Sequence, residues 1–191
     1  MKVIGINGSP RKGGNTDYII RVVFQCLEAA GIETEIVQIG GKIERGCNGC
    51  WVCRKTKNCK CILPDDGLND LLLKIKDCDG ILLGSPTYFS DVTTEMKAFM
   101  DRAGTVSNAN GGLFVHKAGS AITTVRRGGA SHALDTMNHF LHCQQTFMVG
   151  SSYWNMVYCR DIGEAEKDDE GIKTMKALGE NMLYLLERLK E

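Results

Sequence analysis

Short apolar runs alternate with longer amphipathic stretches along most of this chain of 191 residues. The runs are rich in β-branched residues and are bounded by glycine, proline or charged residues, which is typical of strands. The run Gly80-Ile81-Leu82-Leu83-Gly84 has no polar side chain, which predicts a strand that is covered on both faces. In chain order, the predicted strands are residues 2–6, 34–39, 80–84, 118–125 and 146–151.

The stretches between these runs place hydrophobic residues three and four positions apart, as in helices that bury one face. Gly31 follows the first stretch and is a natural helix terminator. The acidic pair Asp65-Asp66 is expected to open the second helix, because negative side chains stabilise the positive end of a helix. The predicted helices are residues 16–30, 65–78, 93–103, 131–144 and 164–190.

Strands that alternate with helices favour a parallel sheet with helices on both faces. With five strands, we predict a flavodoxin-like three-layer α/β sandwich of strand order 2-1-3-4-5, formed as one domain by residues 1–191. Residues 41–63, after the second strand, show neither the helical nor the strand period of hydrophobic residues. They contain a cluster of cysteines. Because long irregular loops in compact domains are usually functional, we predict that this insertion has a function.

Composition excludes two classes of partner. The chain has 23 Lys and Arg against 23 Asp and Glu, whereas a strongly basic nucleic-acid-binding protein needs a surplus of cations. No apolar run approaches the roughly 20 residues that span a bilayer. The first residues also have too short an apolar stretch for a signal peptide, so we expect a cytoplasmic protein without a nucleic-acid or membrane partner.

Three loops are expected to form the ligand site, because ligands of open α/β sheets bind at the carboxyl ends of the strands. The first loop, Gly8 to Thr16, joins a strand to the start of a helix, where free backbone N–H groups attract anions. Its polar side chains suit a phosphate monoester, although an ordinary polar helix cap is the alternative. These side chains are Ser9, Arg11, Asn15 and Thr16.

The second and third loops add groups that suit a flat ring. In the second loop, Pro86 and Thr87 precede Tyr88 and Phe89, two aromatics that either cover a ring or pack in a local core. The third loop, Thr124 to Gly129, either lets its glycine backbone approach a ligand closely or forms a simple turn. The predicted topology brings all three loops to one crevice.

Five of the nine cysteines lie within 15 residues, at positions 47, 50, 53, 59 and 61. Without an export signal, a disulfide framework is a poor explanation. Close Cys-x2-Cys-x2-Cys spacing suits a [4Fe–4S] cluster, whereas structural zinc prefers two separated pairs. Free thiols and zinc stay open as alternatives. Residues 41–61 also carry one acid, Glu44, and six basic residues, Lys42, Arg45, Arg54, Lys55, Lys57 and Lys60.

Several of these segments resemble known families. Gly8-Ser9-Pro10-Arg11 with Asn15-Thr16, and Gly84-Ser85-Pro86-Thr87-Tyr88 with Lys97 and Asp101-Arg102, resemble the NAD(P)H-dependent FMN reductase family. Within it, the cysteine segment resembles the Cys-x2-Cys-x2-Cys-x4–7-Cys motif of the iron-sulfur flavoproteins of anaerobic bacteria and archaea. Both Cys59 and Cys61 fit the fourth position of that motif, and we prefer Cys59.

The resemblance implies a role for each segment. The first loop would hold the FMN phosphate through Ser9, Arg11, Asn15 and Thr16. The isoalloxazine ring would lie between the second and third loops, lined by Pro86, Thr87, Tyr88, Phe89, Thr124, Arg126, Gly128 and Gly129. A [4Fe–4S] cluster would take Cys47, Cys50, Cys53 and Cys59 as ligands. The chemistry would be centred on the flavin, without a catalytic acid or base from the protein.

The function that the resemblance implies is an FMN-dependent oxidoreductase whose [4Fe–4S] cluster couples one-electron and two-electron transfer. Its donor would be ferredoxin or NAD(P)H, its acceptor a small molecule, and its assembly a homodimer or homotetramer. The alternative is a cluster-free NAD(P)H-dependent FMN or quinone reductase. A flavodoxin-like carrier is disfavoured because flavodoxins are acidic whereas this chain is neutral. A zinc-stabilised binding module is disfavoured by the three convergent loops.

Overall fold

A parallel β-sheet forms the centre of the molecule in a computed structural model that describes residues 1–190. Its strand order is β2-β1-β3-β4-β5, and each of these neighbouring pairs is parallel, which confirms the predicted order 2-1-3-4-5. A sixth short strand also pairs with β4. The strands are β1 Lys2–Asn7, β2 Glu33–Gln38, β3 Gly80–Pro86, β4 Ala118–Val125, β5 Phe147–Met148 and β6 Met156–Tyr158.

Helices cover both faces of the sheet, because alternate strand residues point to opposite sides. Val3 and Leu82 pack in one core with α1 and α6, while Ile4 and Leu83 pack in the other with α3, α4 and α5. The helices are α1 Asn15–Ala29, α2 Val52–Thr56, α3 Leu68–Asp77, α4 Thr94–Ala109, α5 Ala130–Cys143 and α6 Asp169–Lys190. None of the helices within residues 1–190 is both long and apolar enough to cross a membrane.

The edge beyond β4 differs from the prediction of one strand at residues 146–151. β5 is only two residues long, the chain then loops out, and β6 returns to pair with the last part of β4. Asn155 explains the break, because its side-chain amide donates to the Ser120 hydroxyl at 3.1 Å and to the Ala121 carbonyl at 3.0 Å. The Asn155 side chain thus forms hydrogen bonds with the middle of β4, where the backbone of a neighbouring strand was predicted.

The helix boundaries differ from the predictions at four places. α6 begins at Asp169 instead of residue 164, since a separate 3-10 turn occupies Ala165–Lys167 and the Asp168 carboxylate accepts the Gly171 N–H at 3.0 Å. α3 begins at Leu68, because the carboxylates of Asp65 and Asp66 accept the N–H groups of Gly67 and Leu68 in local turns before the helix. α4 runs six residues beyond the predicted end, to Ala109. The cysteine segment contains the one-turn helix α2, which its sequence pattern did not indicate.

Gly179 sets the distance between α6 and α1. A Cβ atom at this position would lie 2.5 Å from the Val23 carbonyl oxygen of α1, and backbone cannot move aside as a side chain can. We expect Gly179→Ala to lower the free energy of unfolding by about 1–3 kcal/mol in a urea titration, despite the better helix propensity of alanine. The exposed Lys176→Ala of the same helix is the control, and equal stabilities for the two variants would refute the argument.

Candidate functional site

A cleft lies at the carboxyl ends of β1, β3 and β4, where the three predicted loops meet. Its volume is about 280 Å³, and nine of the predicted cofactor residues line it. Three of the predicted residues, Phe89, Gly128 and Gly129, do not line it. The nine are Ser9, Arg11, Asn15, Thr16, Pro86, Thr87, Tyr88, Thr124 and Arg126, and the cleft adds Cys159 and Arg160.

One end of the cleft has the donors of an anion site. α1 begins here at Asn15, and no side chain caps its first turn, so its free N–H groups and dipole face the cleft. Ser9 and Thr16 place hydroxyl groups beside it, and both residues are almost completely buried. The Thr16 hydroxyl also lies 3.1 Å from the Thr124 hydroxyl, which joins the first loop to the third. Three arginines and no carboxylate line the cleft, which fits a phosphate.

Asn15 has a structural task besides lining the cleft. Its side chain donates to the Asp161 carbonyl at 2.8 Å and accepts the N–H groups of Gly163 and Ala165. These bonds fasten the segment after β6 to the start of α1, and the same segment carries Cys159 and Arg160. Sequence analysis missed these two residues because β6, the three residues Met156–Tyr158, is too short to show a strand period.

Cys159 is a neutral thiol within the cleft. Burial raises its pKa to about 11, although the contact with the Asn15 side chain acts in the opposite direction. Because the thiolate is the reactive form, Cys159 is not poised as a nucleophile at neutral pH. The residue contributes a small, uncharged surface to the cleft.

The other end of the cleft is shaped by the loop after β3. The Thr87 N–H donates to the Thr124 carbonyl at 2.8 Å, so the second and third loops are tied together. Tyr88 then pairs with Asp91 across a tight turn whose central residues, Phe89 and Ser90, have positive φ angles of 46° and 67°. This turn sends Tyr88 to the cleft and Phe89 fully into solvent, which is why adjacent aromatics do not share the lining.

Gly129 allows the 88–91 turn to pack on the third loop. Its φ is 87°, and a Cβ atom there would lie 2.7 Å from the Ser90 Cα atom. Gly128 has no such neighbour within 4 Å. Gly129 therefore packs against the second loop and does not line the cleft itself.

The cysteine segment encloses a second, much smaller cavity of about 20 Å³ against α4. Cys47, Cys50, Cys53 and Cys61 line it together. Burial raises the pKa of the Cys53 thiol, and the nearby sulfurs of Cys47 and Cys50 raise it further. All nine cysteines are free thiols, and within residues 1–190 no three His, Cys, Asp or Glu side chains already stand at metal-binding distances. The chemistry of the lining still fits a thiolate-bound metal or cluster.

Cys59 and Cys61 are held in different places. The Cys61 backbone is clamped by Asn69 of α3, whose side chain accepts its N–H at 2.8 Å and donates to its carbonyl at 3.1 Å. The Cys59 N–H donates instead to Asn110, at the end of α4, and Cys59 does not line the cavity. The geometry thus places Cys61 beside the first three cysteines and leaves Cys59 outside the lining.

A buried arginine, Arg102, lines the cysteine cavity. The Arg102 side chain is 1% exposed and forms an ion pair with Asp66. Its Nε donates to the Cys61 sulfur at 3.4 Å, and one terminal nitrogen donates to the Arg45 carbonyl at 3.3 Å. Burial lowers the pKa of Arg102, but the bonds to Asp66 and Cys61 outweigh burial and raise it, so the guanidinium stays charged.

The outer surface of the cysteine segment is basic. All six cations of residues 41–61 are exposed, and Arg54 lies over the Trp51 ring at 4.1 Å from its centre. An exposed group of like charges steers a partner of the opposite charge towards it.

Comparison with known proteins covers both the cleft and the cysteine segment. Residues 1–160 match the family model described as NADPH-dependent FMN reductase. An iron-sulfur flavoprotein of Methanocaldococcus jannaschii is 32% identical over 198 residues, with 100% of both chains covered. One from Methanosarcina thermophila is 28% identical over 199 residues, with 100% of this chain and 98% of the relative covered. A solved flavodoxin from the domain Archaea superimposes with a TM-score of 0.62 at 17% identity, with 100% of both chains covered, which confirms the flavodoxin-like fold.

Proposed function

Since the chain belongs to the NADPH-dependent FMN reductase family and is a flavin-dependent oxidoreductase, we propose that it couples FMN to a [4Fe–4S] cluster. In this proposal, electrons pass between a one-electron donor of the ferredoxin type and a small acceptor. The observation that carries the proposal is the cavity shared by Cys47, Cys50, Cys53 and Cys61. Full-length similarity to proteins named iron-sulfur flavoproteins supports it.

The cleft residues would bind and orient the flavin. Bound FMN supplies hydride and single-electron chemistry, and the protein supplies its position and electrostatic environment. The free N–H groups at the start of α1, with Ser9, Arg11 and Thr16, would hold the phosphate, and Arg160 would add a second cation at this site. Pro86, Thr87 and Tyr88 would border the ring. Arg126 lines the same cleft and would add a further cation beside the bound flavin.

The cysteine cavity would hold the cluster. Thiolates are the ligands of [4Fe–4S] clusters, and such a cluster with four thiolates is anionic. The exposed cations of residues 41–61 would stabilise that charge and attract an acidic electron carrier. The cavity lining favours Cys61 as the fourth ligand, while Cys59 stays the prediction of the sequence. Nine free thiols fit a reducing compartment such as the cytoplasm.

A second copy of the chain would complete the site in a homodimer or homotetramer. Large aromatic side chains stand exposed, among them Phe89 in the loop after β3 and Tyr153 and Trp154 before β6. Exposed aromatic groups are favoured at protein interfaces. A partner that covers Phe89, which follows the cleft residue Tyr88, would also shield this side of the cleft from water.

A second candidate function is a cluster-free NAD(P)H-dependent reductase. The description of the matching family and the position of Arg126 on the cleft favour it. The cysteines within residues 1–190 would then stay free thiols, in keeping with their present spacing.

Elemental analysis separates the two candidates. We expect protein purified without oxygen to contain about one FMN, four iron and four sulfide per chain, and negligible zinc. It should then be reduced faster by a reduced ferredoxin-type donor than by NADPH. FMN without iron after attempted reconstitution, together with fast reduction by NADPH, would establish the cluster-free reductase instead.

A further inference from the structure

Arg102 is the only charged side chain among the fully buried residues of positions 1–190. Burying a charge is costly unless its partners compensate it, and a side chain that only joins two helices can be apolar. The position of this guanidinium therefore calls for a reason beyond packing. It projects from α4 into the wall of the cysteine cavity, where it lines the same space as Cys47, Cys50, Cys53 and Cys61.

The contacts of Arg102 divide between two kinds of partner. On one side lie oxygen acceptors, the Asp66 carboxylate and the Arg45 carbonyl. On the other side, Nε–H points at the Cys61 sulfur at 3.4 Å. A guanidinium has five N–H donors in a fixed plane, so satisfying Asp66 with the terminal nitrogens directs Nε–H to the sulfur. Asp66 thus orients Arg102, and Arg102 orients Cys61.

We propose that Arg102 is a positioning residue that holds Cys61 as the fourth thiolate ligand and raises the reduction potential of the cluster, with Asp66 opposing it. The inference rests on the proposed cluster. When one electron enters the site, its net charge falls by one and no bond forms or breaks. A nearby cation and a hydrogen bond to sulfur stabilise the more negative form, so they raise the potential, whereas a nearby carboxylate lowers it.

Redox titration of the reconstituted protein, followed by electron paramagnetic resonance of the reduced cluster, tests the proposal. We expect Arg102→Gln to disfavour reduction about tenfold, which is about 59 mV for a one-electron couple. Arg102→Lys keeps the charge but loses the Nε–H bond, so its potential should fall by less. Asp66→Asn removes the opposing negative charge, so its potential should rise. Lys97→Gln is the control, because Lys97 lies on the same helix but is exposed and pairs with Asp101.

Opposite shifts in Arg102→Gln and Asp66→Asn separate tuning from a structural role, since loosening of the loop would move both potentials in the same direction. Unchanged or equally directed potentials would overturn the proposal. If Arg102→Gln does not fold, Arg102→Lys and Asp66→Asn carry the same test. Wild-type protein without iron would refute both the cluster and this inference. If the wild-type protein binds full iron but the variants have the wild-type potential, only the role of Arg102 is refuted.

Discussion

Replacing Cys61 by serine is expected to remove most of the iron and acid-labile sulfide that the wild-type chain binds after anaerobic reconstitution. The Cys61 sulfur faces the cavity of Cys47, Cys50 and Cys53 and accepts the Arg102 hydrogen bond. Loss of a group that only supports a metal ligand commonly costs 10–100-fold in affinity, so losing a ligand should weaken cluster binding by more than about tenfold. Iron, sulfide and FMN are measured per chain.

Cys59→Ser is the matched control for this prediction. It makes the same chemical change two positions away, at a cysteine of similar partial exposure whose N–H is bonded to Asn110 and which does not line the cavity. We expect wild-type iron content in Cys59→Ser, and unchanged FMN in both variants because the cleft is built from other loops. Loss of iron in Cys59→Ser with retention in Cys61→Ser would instead support the assignment made from spacing.

The contrast between these two cysteines shows the limit of spacing as a signal. Both fit the motif, because its last spacer of four to seven residues admits the five residues before Cys59 and the seven before Cys61. What separates them is Asn69, which clamps the Cys61 backbone from α3, and Asn110, which holds Cys59 at the end of α4. Both asparagines lie outside the cysteine segment, so no pattern within the segment contains this information.

The sheet could be predicted because its signal is local. β4 was predicted at its observed bounds, Ala118–Val125, since its small, apolar and β-branched residues lie between the charged residues Lys117 and Arg126. β6 could not be predicted, because it has only three residues and its pairing with β4 follows a stretch where the Asn155 side chain bonds to β4. The error reached the cleft, since Cys159 and Arg160 follow β6 and were missed with it.

The roles of the glycines also depend on contacts between distant segments. The sequence of the third loop left open whether Gly128 and Gly129 approach a ligand or form a simple turn; in the structure Gly129 packs on Ser90 and Gly128 has no close neighbour. A glycine to which sequence analysis assigned no role, Gly40, packs instead against the backbone of Ser9, a residue that lines the cleft. Which backbone segments touch depends on the packing of the whole sheet, and that is not encoded near either glycine.

Gly40→Ala is expected to weaken FMN binding roughly 10–100-fold. A Cβ atom at Gly40 would lie 2.0 Å from the Ser9 carbonyl oxygen and 2.6 Å from the Pro10 nitrogen, both backbone atoms of the proposed phosphate loop. The Gln38 side chain also donates to that carbonyl, so the loop is held from both sides. Inserting a methyl group into such a contact typically costs about 1–3 kcal/mol, and each 1.4 kcal/mol is about tenfold in affinity.

Flavin fluorescence quenching on titration of the apoprotein gives the dissociation constant for this variant. Gly150→Ala is the control, because a Cβ atom there has no neighbour within 4 Å and its φ is not positive, so its FMN affinity should equal that of the wild type. Thermal unfolding of both variants separates displacement of the loop from general loss of structure. The loop lies apart from the cysteine cavity, so iron content should stay at the wild-type level in Gly40→Ala. Unchanged FMN affinity in Gly40→Ala would mean that the Ser9–Pro10 backbone does not position the phosphate.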